Sequence, residues 1–388
     1  MRFLHTADWQ LGKPFAGTED SQKRALLQNE RFTAVRRLGQ MAREKGAEFI
    51  VVAGDLFDSP SATKATVSAA CSAIGSIELP VYAIPGNHDH GGPGSLWNQD
   101  FFTRERAALA PNLQLLLKPE PLEVAGAVLF PCPLLRRHEA YDPTTWLRSG
   151  QAAADQSGGK PRIIIAHGSV LNFGLAQEDD ESDGGAANII DLSRLPEETF
   201  DYIALGDWHG TKEISPRAWY SGTPELDRFV KSQDHRPGNV LVVDVHRGQL
   251  PTVEVVRTGA MGWHELNFIL TEDDDLPRLE GEVDRLIGPR ANQDLVCLRL
   301  EGSLGIEATV ELEKRLETWS ARLIRLKLDN RVHIRPSPEE LEELTRRAED
   351  PLVARVAGQL VEMAGGHDEK ADVARLALRR LHAACQPN

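Results

Sequence analysis

From residue 1 to about residue 260, short apolar runs alternate with longer amphipathic stretches, and most of the runs end in polar clusters of Asp, Asn, His and Gly. That alternation predicts a layered α/β domain. The strand candidates are Phe3–Ala7, Phe49–Ala53, Val81–Ile84, Ala127–Phe130, Ile163–Ala166, Tyr202–Leu205 and Val240–Val245. Five of these seven run directly into a His, Asp or Asn cluster, as expected when functional loops gather at the carboxyl ends of strands. Between Glu19 and Lys45, apolar residues at helical spacing (Leu26, Phe32, Val35, Leu38) predict one or two helices packed on the sheet, with no sign of chemistry. Residues 150–159 and 177–185 are turn-prone and read as loops. The second, QEDDESDGG, is acidic and follows a candidate ligand, so it reads as a solvated loop or as a gate at a site entrance.

After residue 260 the periodicity becomes strand, helix, strand, helix, strand: Glu265–Leu270, Leu276–Ile287, Val296–Leu300, Ile306–Trp319 and Leu323–Leu328. Residues 261–335 therefore predict a small α/β cap domain. Pro336 and Pro338 break the chain, and residues 336–388 read as a helical tail with Leu341, Leu344, Leu352, Val356, Leu360 and Leu376 as its apolar positions. Such a tail either packs back on the body or offers its apolar stripe to a partner.

Length and composition narrow the function classes. A chain of 388 residues exceeds one ordinary core, and 41% apolar with 26% charged residues is the balance of a globular protein. No apolar run approaches the roughly 18 residues of a membrane span, and the N-terminus lacks a secretory pattern, so the expectation is a cytoplasmic protein without a membrane partner. Four single cysteines, Cys71, Cys132, Cys297 and Cys385, fit reduced thiols rather than a disulfide frame or zinc ribbon. A net charge of −14 argues against simple electrostatic capture of nucleic acid, so any DNA affinity must come locally, from metals, or from a partner.

The chemistry lies in polar clusters that recur in a fixed order: Asp8-Trp9-Gln10, then Gly54-Asp55-Leu56-Phe57-Asp58, then Gly86-Asn87-His88-Asp89, then Ala166-His167-Gly168 with Gly206-Asp207-Trp208-His209. Each alone reads as a turn or a cap. Together they bring carboxylate, amide and imidazole groups to one sheet edge, which is what a pair of divalent cations requires. The order and approximate spacing resemble the calcineurin-like metallophosphoesterase superfamily, with its D-x-H, G-D, G-N-H-D/E, H and G-H-x-H pattern. Within it, HTADWQLGKPF, AGDLFDSP, PGNHD and YSGTPE resemble the SbcD-type DNA-repair exonucleases. The resemblance covers about residues 1–330 and implies a β-sandwich flanked by helices, followed by a cap domain.

Carried over position by position, the resemblance implies that Asp8 and His209 bind one metal, Asn87 and His167 a second, and Asp55 bridges both. His88 matches the family's catalytic histidine, which protonates the leaving oxygen or steadies the transition state. Asp58 and Asp89 orient it or the ligands, or simply cap helices. Two positions depart from the pattern: Gln10 stands where the family has histidine, and Asp207 replaces the first histidine of G-H-x-H. Amide and carboxylate oxygens are harder donors than imidazole, so the set Asp8, Gln10, Asp55, Asn87, His167, Asp207 and His209 leans toward two manganese ions, with magnesium or iron as alternatives. Neutral Gln10 implies a loosely held first ion. Residues 220–225 read as a tight turn or a segment beside the substrate, and Trp9, Trp208 and Trp263 as packing or as stacking platforms for a base.

The expected function is therefore a manganese-dependent DNA exonuclease or endonuclease of DNA repair, with DNA, an ABC-type ATPase subunit and a second copy of the chain as partners. The alternatives are a phosphoesterase for a small nucleotide or other phosphoester, and a catalytically weak scaffold subunit in which Gln10 and Asp207 mark a decayed site.

Overall fold

The computed structural model describes residues 1–148, 158–171, 187–196, 199–230, 235–334, 338–347, 350–364 and 369–385. The acidic loop expected at 177–185, and nearly all of the one at 150–159, lie outside these residues. The chain divides into two compact units, Met1–Met261 and Gly262–Asn388.

The first unit is built on two six-stranded mixed sheets. Its elements run β1 (Arg2–Thr6), α1 (Ser21–Lys45), β2 (Ile50–Ala53), α2 (Lys64–Gly75), β3 (Val81–Ile84), α3 (Asp100–Leu109), β4 (Leu113–Leu115), β5 (Leu122–Val124) and β6 (Ala127–Cys132). They continue with β7 (Arg162–His167), β8 (Ser169–Val170), β9 (Ile189–Ile190), β10 (Tyr202–Gly206), β11 (Lys212–Ser215), β12 (Ala218–Tyr220), β13 (Asn239–Asp244) and β14 (Thr252–Arg257). One sheet has the order β14-β13-β1-β2-β3-β4 and the other β11-β12-β10-β7-β6-β5, with β8 and β9 forming a separate ribbon. Strands β1, β2, β3 and β4 are mutually parallel, as are β6, β7, β10 and β12.

The near-continuous apolar strands follow from burial on both faces. In β1 and β2, Phe3, Val51 and Ala53 point to the inter-sheet core with Ile163, Ile165 and Ala204. Leu4, Ile50 and Val52 point the other way, against Val35 and Leu38 of α1 and Val67 and Ile74 of α2. Each large side chain so buried contributes about 1.5–3 kcal/mol. Helix α1 is a single helix. Asp20 caps it by accepting from the Gln22 and Lys23 N–H groups, and Gly46 ends it in the left-handed region at φ 67°. Its inward stripe is Leu27, Arg31, Ala34, Val35 and Leu38, whereas Leu26 is exposed.

Parallel topology delivers the site. The carboxyl ends of β1, β2 and β3 lead into Asp8, Asp55 and Asn87, and those of β7 and β10 into His167 and Asp207, all at one edge of the sandwich.

The second unit carries a three-stranded parallel sheet, β15 (Gly262–Leu270), β16 (Asp294–Leu304) and β17 (Arg325–Ile334), with α4 (Asp275–Ile287) and α5 (Ile306–Arg322) as its crossovers. Leu279, Val283, Leu298, Leu300, Leu312 and Trp319 form its core. The helices α6 (Pro338–Thr345), α7 (Pro351–Ala364) and α8 (Glu369–Cys385) meet in a small cluster of Leu344, Ala357 and Leu378. Val356 and Leu376 are exposed, as is Leu352, at 72%. The four cysteines are free thiols. Among the described residues no helix is long and apolar enough to cross a membrane.

Candidate metal centre

Four site residues sit in backbone conformations that side chains normally avoid: Asp8 at φ 54°, Gln10 at 41°, Asp55 at 54° and Asp207 at 103°. Each costs on the order of 1–3 kcal/mol, so the surroundings must impose it. They do so through hydrogen bonds between loops. Asp8 N–H donates to the Gly54 carbonyl at 3.1 Å, Gln10 N–H to the Asp55 carbonyl at 2.9 Å, and Asp207 N–H to the Asp8 carboxylate at 3.2 Å. Gly86 must lack a side chain, because a Cβ there would lie 2.1 Å from Asp55 Oδ1. Gly54, at φ 93°, approaches the His167 ring as closely, with 2.2 Å from such a Cβ to Nδ1.

These loops bring together Asp8, Asp55 and His167, all buried, with one ligand atom from each lying within 4.8 Å of the other two. Asn87 and Asp207 join them: His167 Nε2 is 3.0 Å from Asn87 Oδ1, 3.6 Å from Asp55 Oδ2 and 3.8 Å from Asp207 Oδ1. The other ring nitrogen faces the Ala53 carbonyl at 2.8 Å. A carbonyl only accepts, so Nδ1 carries the proton and Nε2 is turned into the carboxylates.

Electrostatics shows what the cluster lacks. Burial, reinforced by the Asp55 and Asp207 carboxylates, raises Asp8 to about 7 against the pull of His209 and His167. Burial alone would lower His167, but Asp55, Asp8 and Asp207 outweigh it and raise the ring to about 9. Both shifts express too many acceptors around too little positive charge. Three carboxylates, an amide oxygen and an imidazole nitrogen are a donor set that fits a hard divalent cation.

The remaining predicted residues surround this core. His88 N–H donates to Asp55 Oδ1 at 2.9 Å, and its ring Nδ1 donates to the backbone carbonyl of Asp58 at 2.8 Å. The backbone of Asp58 thus orients His88, while its carboxylate lies 3.7 Å from Lys13 Nζ. Asp89 is an anchor: fully buried, it accepts from Gly86 N–H at 2.7 Å and Phe57 N–H at 3.0 Å, tying two ligand loops together. Burial and the Asp55 charge raise it to about 7 despite those bonds. His209 Nδ1 pairs with Asp227 Oδ2 at 3.0 Å, and its Nε2 is 3.3 Å from Gln10 Nε2. Trp9 is a core residue donating to Thr6 Oγ1, and Trp208 stacks edge-on with His235.

Several supporting residues escaped the motif reading. Arg31, buried within α1, donates to the carbonyls of Trp9 at 2.7 Å and Asp8 at 3.1 Å and to Thr223 Oγ1 at 3.0 Å. Ser169 Oγ donates to Asp207 Oδ2 at 2.8 Å. Tyr220 Oη holds the His167 loop by donating to the Gly168 carbonyl at 2.7 Å and accepting from Val170 N–H at 2.9 Å. Segment 220–225 is thus a buttress behind the site. Lys13 and Asp227, 214 residues apart, form an ion pair at 3.3 Å on the Gln10 side.

Residues 1–236 match the calcineurin-like phosphoesterase family. The chain belongs to that family. As a calcineurin-like phosphoesterase it is 23% identical over 266 residues to the SbcD subunit of nuclease SbcCD from Staphylococcus epidermidis, an alignment spanning 64% of this chain and 67% of the relative. Among solved structures it aligns with TT1561 of Thermus thermophilus at 15% identity and a TM-score of 0.40, over 66% of this chain and 98% of the other.

Proposed function

We propose that this phosphoesterase is a metal-dependent phosphodiester hydrolase acting on DNA. The observation that carries the reading is the buried Asp8–Asp55–His167 cluster, extended by Asn87 and Asp207, whose acceptors face one another with His167 as the only ion-pair partner of Asp55 and Asp207 among the described residues. A divalent cation held there, manganese by preference for the oxygen-rich set, supplies positive charge against the phosphoryl oxygens and acidifies water at the site.

The chain's own residues do the rest. Asp55 would hold the cation, and it accepts from the His88 backbone N–H, so the histidine is positioned by a residue that would also carry the metal. With the Nδ1 proton committed to the Asp58 carbonyl, His88 Nε2 is the ring nitrogen left to face the leaving oxygen, and in the imidazolium form of the ring it gives its proton there. The nuclease identity of the 23% relative supports a nucleic-acid substrate, and its name, that of one subunit of a larger nuclease, supports a partner subunit. The net charge of −14 agrees, because DNA is then gripped largely by metal and partner rather than by a basic surface. The cap at 261–335 and the tail at 336–388, with its exposed Leu352, Val356 and Leu376, are the segments we assign to substrate and partner contacts.

The test is hydrolysis of bis-p-nitrophenyl phosphate by chelator-stripped protein with and without manganese, followed by single-stranded DNA, duplex DNA and cyclic nucleotides. Manganese-dependent turnover with DNA preferred is expected. Turnover confined to cyclic nucleotides would point to the small-nucleotide reading, and no turnover with any substrate would support a scaffold.

A further inference from the structure

The Gln10 side of the cluster is built unlike the His167 side. Gln10 has one side-chain atom able to bind a metal, Oε1, and Lys13 Nζ donates to it at 2.9 Å. An ammonium only donates, so the amide orientation is determined: Oε1 faces Lys13, and Nε2 faces His209 Nε2 at 3.3 Å. That imidazole nitrogen is the one left for a metal, since Nδ1 pairs with Asp227. Lys13 also reaches Asp227 Oδ2 at 3.3 Å and Asp58 Oδ1 at 3.7 Å, with its own side chain 12% exposed. Donor meets acceptor in each of these contacts. Around His167, by contrast, the oxygens of Asn87, Asp55 and Asp207 all converge on the one ring nitrogen Nε2, so three acceptors share a single possible donor. Asp8, Asp55 and His167 form the compact grouping of potential ligands among the described residues, and His209 is not part of it.

We propose that Lys13 stands in for the second divalent cation, so that the chain holds one ion tightly, on the Asp55–His167 side, beside a fixed ammonium on the Gln10–His209 side. A second ion would have to strip Oε1 from Lys13 and then sit against a like charge. With histidine at position 10 there would be a ring nitrogen for the metal and no amide oxygen to hold the lysine, so Gln10 and Lys13 work as a pair. Lys13 is here a positioning residue and charge carrier, not a proton donor. The inference rests on the reading of the cluster as a cation site.

The experiment uses the full chain, stripped with chelator and equilibrated with excess manganese, and measures bound metal per chain by mass spectrometry and the manganese electron paramagnetic resonance spectrum. One ion per chain with the spectrum of an isolated centre is expected, and the double variant Gln10→His with Lys13→Met should hold two ions with a spin-coupled spectrum. Two coupled ions in the unaltered chain would overturn the role given to Lys13 while leaving the cation site intact. A folded double variant that still holds one ion would overturn it as well. No bound ion in the unaltered chain would overturn the cation site itself. If the double variant does not fold, the unaltered chain's stoichiometry decides the matter.

Discussion

The two halves of the candidate metal centre, joined where Asp8 and Gln10 share one loop and Asp207 and His209 another, solve one electrostatic problem in different ways. On the His167 side, Asp8, Asp55 and Asp207 crowd a single imidazole, and the surplus of negative charge raises Asp8 to about 7 and His167 to about 9. On the His209 side the acid is balanced: burial would raise Asp227, but His209, Arg228 and Lys13 outweigh it and hold the carboxyl well below its usual range. Burial likewise pulls His209 down, and Asp227 more than restores it. One half is complete with protein groups alone and the other is not. Equal numbers of polar side chains therefore do not make equal metal sites, because what matters is whether donors and acceptors already match.

The largest effect should come from removing the carboxylate on which the incomplete half depends. Asp55→Asn is expected to lose bound manganese and about 10³-fold or more in phosphodiesterase activity, measured together by metal analysis and bis-p-nitrophenyl phosphate turnover. His88→Gln should separate chemistry from binding, lowering kcat by about 10²–10³-fold while the manganese content stays unchanged. A smaller loss is expected from Ser169→Ala, which takes away the hydroxyl donating to Asp207 Oδ2: manganese affinity should weaken by about tenfold in isothermal titration.

The smallest effect is on pH dependence. In the metal-free fold Asp8 and Asp89 sit near 7 and His167 near 9, all above their ordinary values. A raised folded-state pKa gives stability that is full below the unfolded value and lost as pH climbs through the folded one. Metal-free stability should therefore fall as pH rises between about 4 and 9, and manganese should restore it by replacing the protons. The thermal shift on adding manganese should be a few degrees larger at about pH 8 than at about pH 5. An equal shift at both would show that protons and metal do not compete for the incomplete half.

Much of this arrangement was legible along the chain, for physical reasons. Strands buried on both faces are written as apolar runs, so β1, β2, β3, β6, β7, β10 and β13 stood out within a residue or two of their ends. The shortest strands and the exposed edge did not: β4, β5 and β12 have three residues each, and β14, with the pattern TVEVVR, is largely exposed. The proximity of Asp8, Asp55, Asn87, His167 and Asp207 was legible because each ends or follows a strand in one of two parallel arrays. What could not be read was which groups finish each other's hydrogen bonds. Arg31 looked like one more position on a packing helix, and only the fold shows it under the Asp8 and Trp9 carbonyls. Asp58 orients His88 through its backbone, an atom every residue has and no motif records. Lys13 is three residues from Gln10, but its partner Asp227 lies across the domain.

The proposed hydrolysis requires a cation bound between Asp55 and His167. A crystal grown with manganese and measured at the manganese absorption edge tests this most directly. Anomalous density among the side chains of Asp8, Asp55, Asn87, His167 and Asp207 is the predicted result, and well-ordered side chains there with no anomalous peak in bonding contact with Asp55 would contradict it.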